Sequence, residues 1–231
     1  MDGTVVVTGI SHGIGRAVAR AFAADGATVV GCGRDGDDLE AAVEAIDADT
    51  DTQVEGLRAD VRDEYDVERL METASRTGPA GIDIVIANAG VYHGDPGETP
   101  LDGESYATFD DHLRTNVRGV FATVREAAPH LNAGARVLIP TGAVARDPKP
   151  GIGSYAVSKA GAEALARGFA ADLDATVGCV DPGQVSTDLS GSEGRDPDDV
   201  AGLFTWAGTE ADPSELDGDV LGLREWRTAT R

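Results

Sequence analysis

Short runs of β-branched and other apolar residues alternate along the chain with longer stretches whose apolar positions recur at helical spacing. Thr4–Thr8, Ala27–Cys32, Gln53–Ala59, Ile82–Ala87, Ala135–Ile139, Ala175–Val180 and Val220–Leu223 predict strands. Between them, Ile14–Ala24, Asp37–Ala48, Glu64–Arg76, Tyr106–Ala128, Gly153–Asp172 and Asp198–Ala207 predict helices, the long one ending near Pro129. Ile82–Ala87 is almost continuously apolar, the pattern of a strand buried on both faces. Strand and helix alternating at this pitch imply a parallel sheet with helices on both faces. Parallel crossovers are right-handed, so the natural topology is a doubly wound Rossmann sheet of about seven strands, an α/β fold. No Pro/Gly/Ser-rich linker and no repeat divides the chain, so residues 1–231 are expected to form a single domain. In such sheets the ligand lies beyond the carboxyl ends of the strands.

Composition narrows the function. The longest apolar stretches fall far short of the ~20 residues that a spanning helix needs. Met1-Asp2-Gly3 runs straight into Thr4-Val5-Val6-Val7 with no basic leader, so a soluble, cytoplasmic protein is expected. Forty-one acidic residues against 19 basic ones give a net charge of −22, which argues against nucleic acid and anionic membranes as partners. The acids recur at turns and helix faces (Asp35, Asp37, Asp38, Glu40; Asp47, Asp49, Asp51; Asp196, Asp198, Asp199), as a solvated surface would have them. Lysine occurs only as Lys149 and Lys159. Acid excess with scarce lysine resembles the proteins of halophilic archaea, whose self-repulsion is screened within about 3 Å in molar salt. Cys32 and Cys179 each sit in a run that reads as a buried strand, and are expected to be packing thiols. The four histidines (His12, His93, His112, His130) are scattered and read as surface or loop residues, and no spacing suggests a metal site.

Chemistry begins where the first strand ends. Thr8-Gly9-Ile10-Ser11-His12-Gly13-Ile14-Gly15 joins strand to helix. Three glycines permit a tight turn and close backbone approach, and the helix start offers free N–H groups to a phosphate. The spacing is Gly-x-x-x-Gly-x-Gly. Further motifs follow in order: Asp60-Val61, Asn88-Ala89-Gly90, Asn116, Tyr155-x-x-x-Lys159, and Pro182-Gly183 followed by Thr187. In register, these resemble the short-chain dehydrogenase/reductase family, from Thr4 to about Leu223.

The resemblance implies a nicotinamide dinucleotide held by Gly9, Ser11, His12, Gly13, Ile14 and Gly15. It also implies that Asp60 accepts a hydrogen bond from the adenine amino group with Val61 flanking the ring. Asn88, Ala89 and Gly90 would hold the central sheet and border the adenosine ribose. Pro182, Gly183, Val185 and Thr187 would surround the nicotinamide, with Tyr155 and Lys159 beside it. NAD enzymes of this kind carry an acid at the end of the second strand for the ribose 2′-OH. Here Gly33 stands there with Arg34 next, and a guanidinium fits a 2′-phosphate. His12 adds a basic residue where NADP-dependent relatives often have one. NADP(H) is therefore expected over NAD(H), with Asp35 the alternative ribose acceptor if the register slips.

Tyr155 and Lys159, four apart, share one helix face. A tyrosine acting near neutrality needs its pKa of about 10 lowered by about 2–3 units, and a neighbouring ammonium has the right sign. By the resemblance, Asn116 anchors a water that links the lysine to solvent. The family's carbonyl-holding serine, thirteen residues before the tyrosine, is here Gly142. Thr141 is one residue early, and a one-residue shift at a strand end turns a side chain to the other face, but the permissive glycine after it could let the loop swing its hydroxyl round as a substitute. The segment after Thr187, where relatives carry a longer substrate lid, is short.

Two readings follow. One is an oxidoreductase that interconverts a small-molecule carbonyl and an alcohol. The other is a nucleotide-binding sensor or scaffold with little or no catalysis, which Gly142 favours. Relatives assemble through helices on the sheet faces, so a homo-oligomer, dimer or tetramer, is expected.

Overall fold

Seven strands lie side by side in the computed structural model, which describes residues 1–52 and 54–231. They are β1 (Thr4–Thr8), β2 (Thr28–Gly33), β3 (Val54–Arg58), β4 (Ile82–Ile86), β5 (Leu131–Pro140), β6 (Thr176–Asp181) and β7 (Val220–Gly222). Their order is β3-β2-β1-β4-β5-β6-β7, with every neighbouring pair parallel. The expected doubly wound Rossmann sheet is what forms. The helices are α1 (Gly13–Ala24), α2 (Gly36–Asp49), α3 (Glu64–Thr77), α4 (Tyr106–His112), α5 (Gly119–Ala127), α6 (Ser154–Asp172), α7 (Pro197–Thr209), α8 (Pro213–Leu216) and α9 (Leu223–Ala229).

Alternation within the strands splits the core into two layers. Val5, Val7, Ile84, Ile86 and Leu138 face one side and pack with Val18, Phe22, Leu203 and Phe204. Val6, Val85, Val137, Ile139 and Val177 face the other, against Leu70, Met71, Val124 and Ala162. Both faces are therefore dry, as the apolar runs require. Cys32 and Cys179 are free and buried, and burial pushes their thiols up to about 11 and about 12.

Several boundaries differ from expectation. Gln53, expected to open the third strand, lies outside the described residues. The strand expected over Ala135–Ile139 starts at Leu131, its pairing with β4 interrupted between Ile82 and Ile84. Leu223 opens α9 instead of ending β7, and the short helices α8 and α9 had no counterpart in the periodicity. The long helix over Tyr106–Ala128 is interrupted. Between α4 and α5, Leu113–Arg118 forms a π turn, and Asn116 lies inside it. No helix among the described residues is long and apolar enough to cross a membrane.

Candidate active site

All strands being parallel, their carboxyl ends share one edge, and the motif residues gather there. Beyond β1, Gly9 N and Ile10 N both donate to Cys32 O, at 2.9 and 3.0 Å, tying the glycine loop to β2. Gly9 has φ 74°, and a Cβ on Gly15 would run into the carbonyl oxygen of Gly9, so the loop closes only with glycine at both places. Asn88 Nδ2 donates to the carbonyl oxygens of Thr8 (2.9 Å) and Gly9 (3.2 Å), and Ala89 N donates to Thr8 Oγ1 (3.0 Å). Gly13 sits against Thr187, which joins the loop to the segment after β6.

The start of α1 differs from those of α2, α3, α7 and α8. Aspartates cap α2, α3, α7 and α8 through Asp35, Asp63, Asp196 and Asp212. α1 has His12 at its N-cap with no side-chain bond, and no acid in its first turn. Its N–H groups and positive dipole end are left for an anion.

At the end of β2, Ser11 Oγ occupies the space a Cβ on Gly33 would need, so an acid there would have to displace it. Arg34 follows. Arg58, in register with Gly33 across β3, donates from Nε to Arg34 O at 3.1 Å, which brings a second guanidinium to this corner. Asp35 caps α2: its Oδ1 accepts from Asp37 N and Asp38 N at 3.0 and 3.2 Å. His12 Nε2 stands 3.9 Å from Asp38 Oδ2. Asp60 takes Arg62 Nε on both oxygens at 3.0 Å and Nη2 on Oδ2 at 2.7 Å. Burial pushes the Asp60 carboxyl up, but these bonds outweigh it and hold the group below the usual carboxylate range. Val61 is buried against Gly119 of α5.

The helix α6 carries Tyr155 and Lys159. Lys159 Nζ donates to Pro140 O at 2.9 Å and lies 5.6 Å from the centroid of the Tyr155 ring. Asn116 is buried and both its amide oxygen and its amide nitrogen are hydrogen-bonded. Oδ1 accepts from Val91 N (2.8 Å), and Nδ2 donates to Val91 O and Ser158 Oγ (both 2.9 Å). The π turn thus pins the segment after β4 to the helix that bears Tyr155. Beyond β6, Pro182 and Val185 are buried, Gly183 N donates to Asp181 Oδ1 (2.9 Å), and Thr187 Oγ1 shares a hydrogen bond with Ser190 Oγ (2.8 Å). Val185 bridges Arg195 and Thr187 bridges Gly191, so the short segment folds on itself.

Thr141 Oγ1 donates to Glu163 Oε1 at 2.8 Å, and Arg146 Nη1 donates to the same oxygen at 2.8 Å. Arg146 also reaches Asp181 Oδ2 at 2.6 Å. Gly142 is extended at φ −163°, and a Cβ there would meet only Val144 Cγ2 at 4.0 Å.

One expectation is corrected. His112 is not a surface residue; it is fully buried, 6.1 Å from the Tyr155 ring by centroids. Its position four residues before Asn116, on the same helical face, was the available signal. Also missed were Arg58, legible only through strand register, and Glu163, whose partner lies 22 residues away.

The family model "short chain dehydrogenase" matches residues 3–198. The chain is 32% identical over 199 residues to NADPH-dependent aldehyde reductase 2, chloroplastic, of Arabidopsis thaliana, covering 80% of this chain and 72% of that protein. It is 31% identical over 230 residues, 90% of each, to the cyclic-di-GMP-binding biofilm dispersal mediator protein of Escherichia coli. Among solved structures, a short chain dehydrogenase from Burkholderia cenocepacia J2315 in complex with NADP superposes with TM-score 0.85 at 28% identity, over 96% of each chain. With its parallel seven-stranded sheet and its glycine loop opening α1, the chain belongs to the short-chain dehydrogenase family.

Proposed function

We propose that residues 1–231 act as one NADP(H)-dependent oxidoreductase domain, interconverting a small-molecule aldehyde or ketone with its alcohol. The observation that carries this is the Tyr155–Lys159 pair at the sheet edge that also holds the glycine loop, with the ammonium fixed on Pro140 O, 5.6 Å from the phenol ring. The site fits the dinucleotide: α1 leaves its first-turn donors uncapped, and the loop closes over Gly9 and Gly15 where side chains would block backbone approach. Arg34 and Arg58 supply two guanidinium groups for a 2′-phosphate, while Asp35 has one carboxylate oxygen committed to the α2 cap. A plant relative named as NADPH-dependent and a neighbouring structure in complex with NADP support the same choice.

The bound dinucleotide supplies hydride chemistry at the nicotinamide. Tyr155 gives its phenolic proton to the oxygen of the developing alkoxide and takes it back in the reverse direction. Lys159 places its ammonium 5.6 Å from the centre of the phenol ring, on the same helix face. Asn116 holds Val91 and Ser158 in place and, by the family resemblance, anchors the water that links Lys159 to solvent. Substrate carbonyl binding lacks the usual serine at Gly142, so Tyr155 alone is the hydroxyl donor assigned to it. The same reading takes the protein as cytoplasmic, halophilic and homo-oligomeric.

NADPH oxidation against a panel of aldehydes and ketones, in high and low salt, tests the proposal, with Tyr155→Phe as control. Activity in the parent that Tyr155→Phe abolishes is expected; activity that survives Tyr155→Phe would overturn this mechanism. A second reading, a nucleotide-binding sensor with little catalysis, is favoured by Gly142 and by a relative named for binding a cyclic dinucleotide. Tight NADPH binding with no carbonyl reduced would select it.

A further inference from the structure

Tyr155 follows directly on Ser154, the first residue of α6, and Ser154 is gripped from two sides. Its N–H donates to Glu104 Oε2 at 2.9 Å, and its Oγ lies 2.7 Å from His112 Nδ1. α6 has no cap of its own, because its N-cap is Gly153 at φ 59°, where a Cβ would collide with Glu104 Oε1 at 2.6 Å. The cap comes instead from a residue 50 positions upstream. Ser154 and His112 are fully buried, and the Glu104 side chain is 6% exposed.

The protonation of His112 follows from its partners. The main-chain N–H of His93 donates to His112 Nε2 at 3.1 Å, so Nε2 carries no proton. The single ring proton is on Nδ1, which donates to Ser154 Oγ. A second proton, on Nε2, would set two donors face to face and break the contact with His93. Glu104 Oε1 is buried with no hydrogen-bond partner among the described residues, 3.7 Å from Nδ1. Charging the ring would draw Nδ1 from Ser154 toward that oxygen.

We propose that His112 is a positioning residue for Tyr155, holding Ser154 in register with Glu104 only while its ring is neutral. This rests on the reading of Tyr155 as the acid/base group. Other groups around the ring act in known directions. From the segment after β4, His93 stands 5.0 Å away by ring centroids, bonded to Asp111 Oδ2 at 2.8 Å, and Tyr92 stands 5.9 Å away. From α6 come Ser154 and Tyr155, and from before α4 comes Glu104. Burial, then the nearby His93, lowers the His112 pKa, while Glu104 and Asp111 oppose them. The ring is therefore neutral at pH 7, and its protonation belongs to the acid side of its ordinary value.

Two measurements test this. The chain has four histidines, so nitrogen-15 NMR of the imidazoles, with His112→Gln to assign the signal, reads the tautomer without any substrate. An Nδ1–H ring that stays neutral to below the usual histidine range is expected; an Nε2–H ring, or one already charged at pH 7, overturns the proposal. The second is the pH profile of carbonyl reduction. The parent should lose kcat on the acid side with KM and NADPH affinity held, by about 10–100-fold once the ring is charged, as small misplacements of a catalytic group do. His112→Gln, a neutral amide that can both donate and accept, should keep activity within about threefold at pH 7 and lose that acid limb. An unchanged limb overturns the proposal. Should His112→Gln not fold, Glu104→Gln, which keeps the acceptor for Ser154 N–H but not the charge, takes its place. Its acid limb must shift, and an unmoved one overturns the idea. Tyr155→Phe keeps the two readings apart: activity that survives it sinks the acid/base assignment, whatever the NMR tautomer.

Discussion

The hydroxyl of Thr141 donates to the buried carboxylate of Glu163, 2.8 Å away, and so points into the protein. The neighbouring Gly142, where relatives of this family carry a serine, is extended and faces open space.

Gly142→Ser is therefore expected to fold normally and to raise kcat/KM for carbonyl reduction, up to the 10²–10³-fold that one polarising donor is worth, or about 3–4 kcal/mol. Thr141→Val is expected to cost about 1–2 kcal/mol of stability through the lost buried hydrogen bond, with less than about tenfold effect on kcat/KM. Steady-state kinetics with thermal melts check both. A loss of all activity in Thr141→Val would mean that the threonine reaches the substrate after all.

NADPH is expected to bind at least about tenfold more tightly than NADH, a gap of about 1.4 kcal/mol, and Arg34→Asp is expected to reverse the order. Arg58→Gln, on the next strand, should weaken NADPH and leave NADH unchanged. Fluorescence titration measures all three. Equal affinities in the parent would remove the basis for the 2′-phosphate assignment.

The salt response follows from 41 acidic side chains against 19 basic ones. Unscreened, they repel one another, and screening shortens the range from about 10 Å at 0.1 M to about 3 Å at 1 M. Thermal melts from about 0.1 M to about 3 M KCl are expected to show a rising Tm. A flat series would refute the halophilic reading.

Acid sensitivity has a local source in Arg62, which bridges Asp60 (2.7 Å) and Asp111 (3.0 Å). The Asp111 carboxyl is held low by its bond from His93, against burial, and then by Arg62; the Asp60 carboxyl is held low by Arg62 against burial. Depressed carboxylates stabilise the fold above the ordinary aspartate value of 3.8, and lose that contribution as pH falls through their lower native values. Arg62→Gln should then cost about 1 kcal/mol at neutral pH, discounted for the partial exposure of the network. The gap to the parent should close on acidification below pH 3.8. Denaturant unfolding across pH 2–7 reads it, and a gap that widens in acid would contradict the assignment.

Sequence alone determined the sheet, because a doubly wound fold needs only alternating periodicity and right-handed crossovers. It also determined the glycine loop and the Tyr155–Lys159 pair, since each depends on residues within a few positions of one another. It left three things open that contacts between distant segments decide. Asp35 looked wholly available for a ribose, and only the geometry of α2 showed one of its oxygens engaged by Asp37 N and Asp38 N as the helix cap. Thr141 looked like a substitute hydroxyl until Glu163, a turn of α6 beyond Lys159, claimed it. His112 read as a scattered surface histidine because its spacing to Asn116 was the one local mark of its burial. Its environment is made by His93, Glu104 and Ser154, from three separate stretches of chain, and only the closing of β4, α4 and α6 on one another brings them to a single ring.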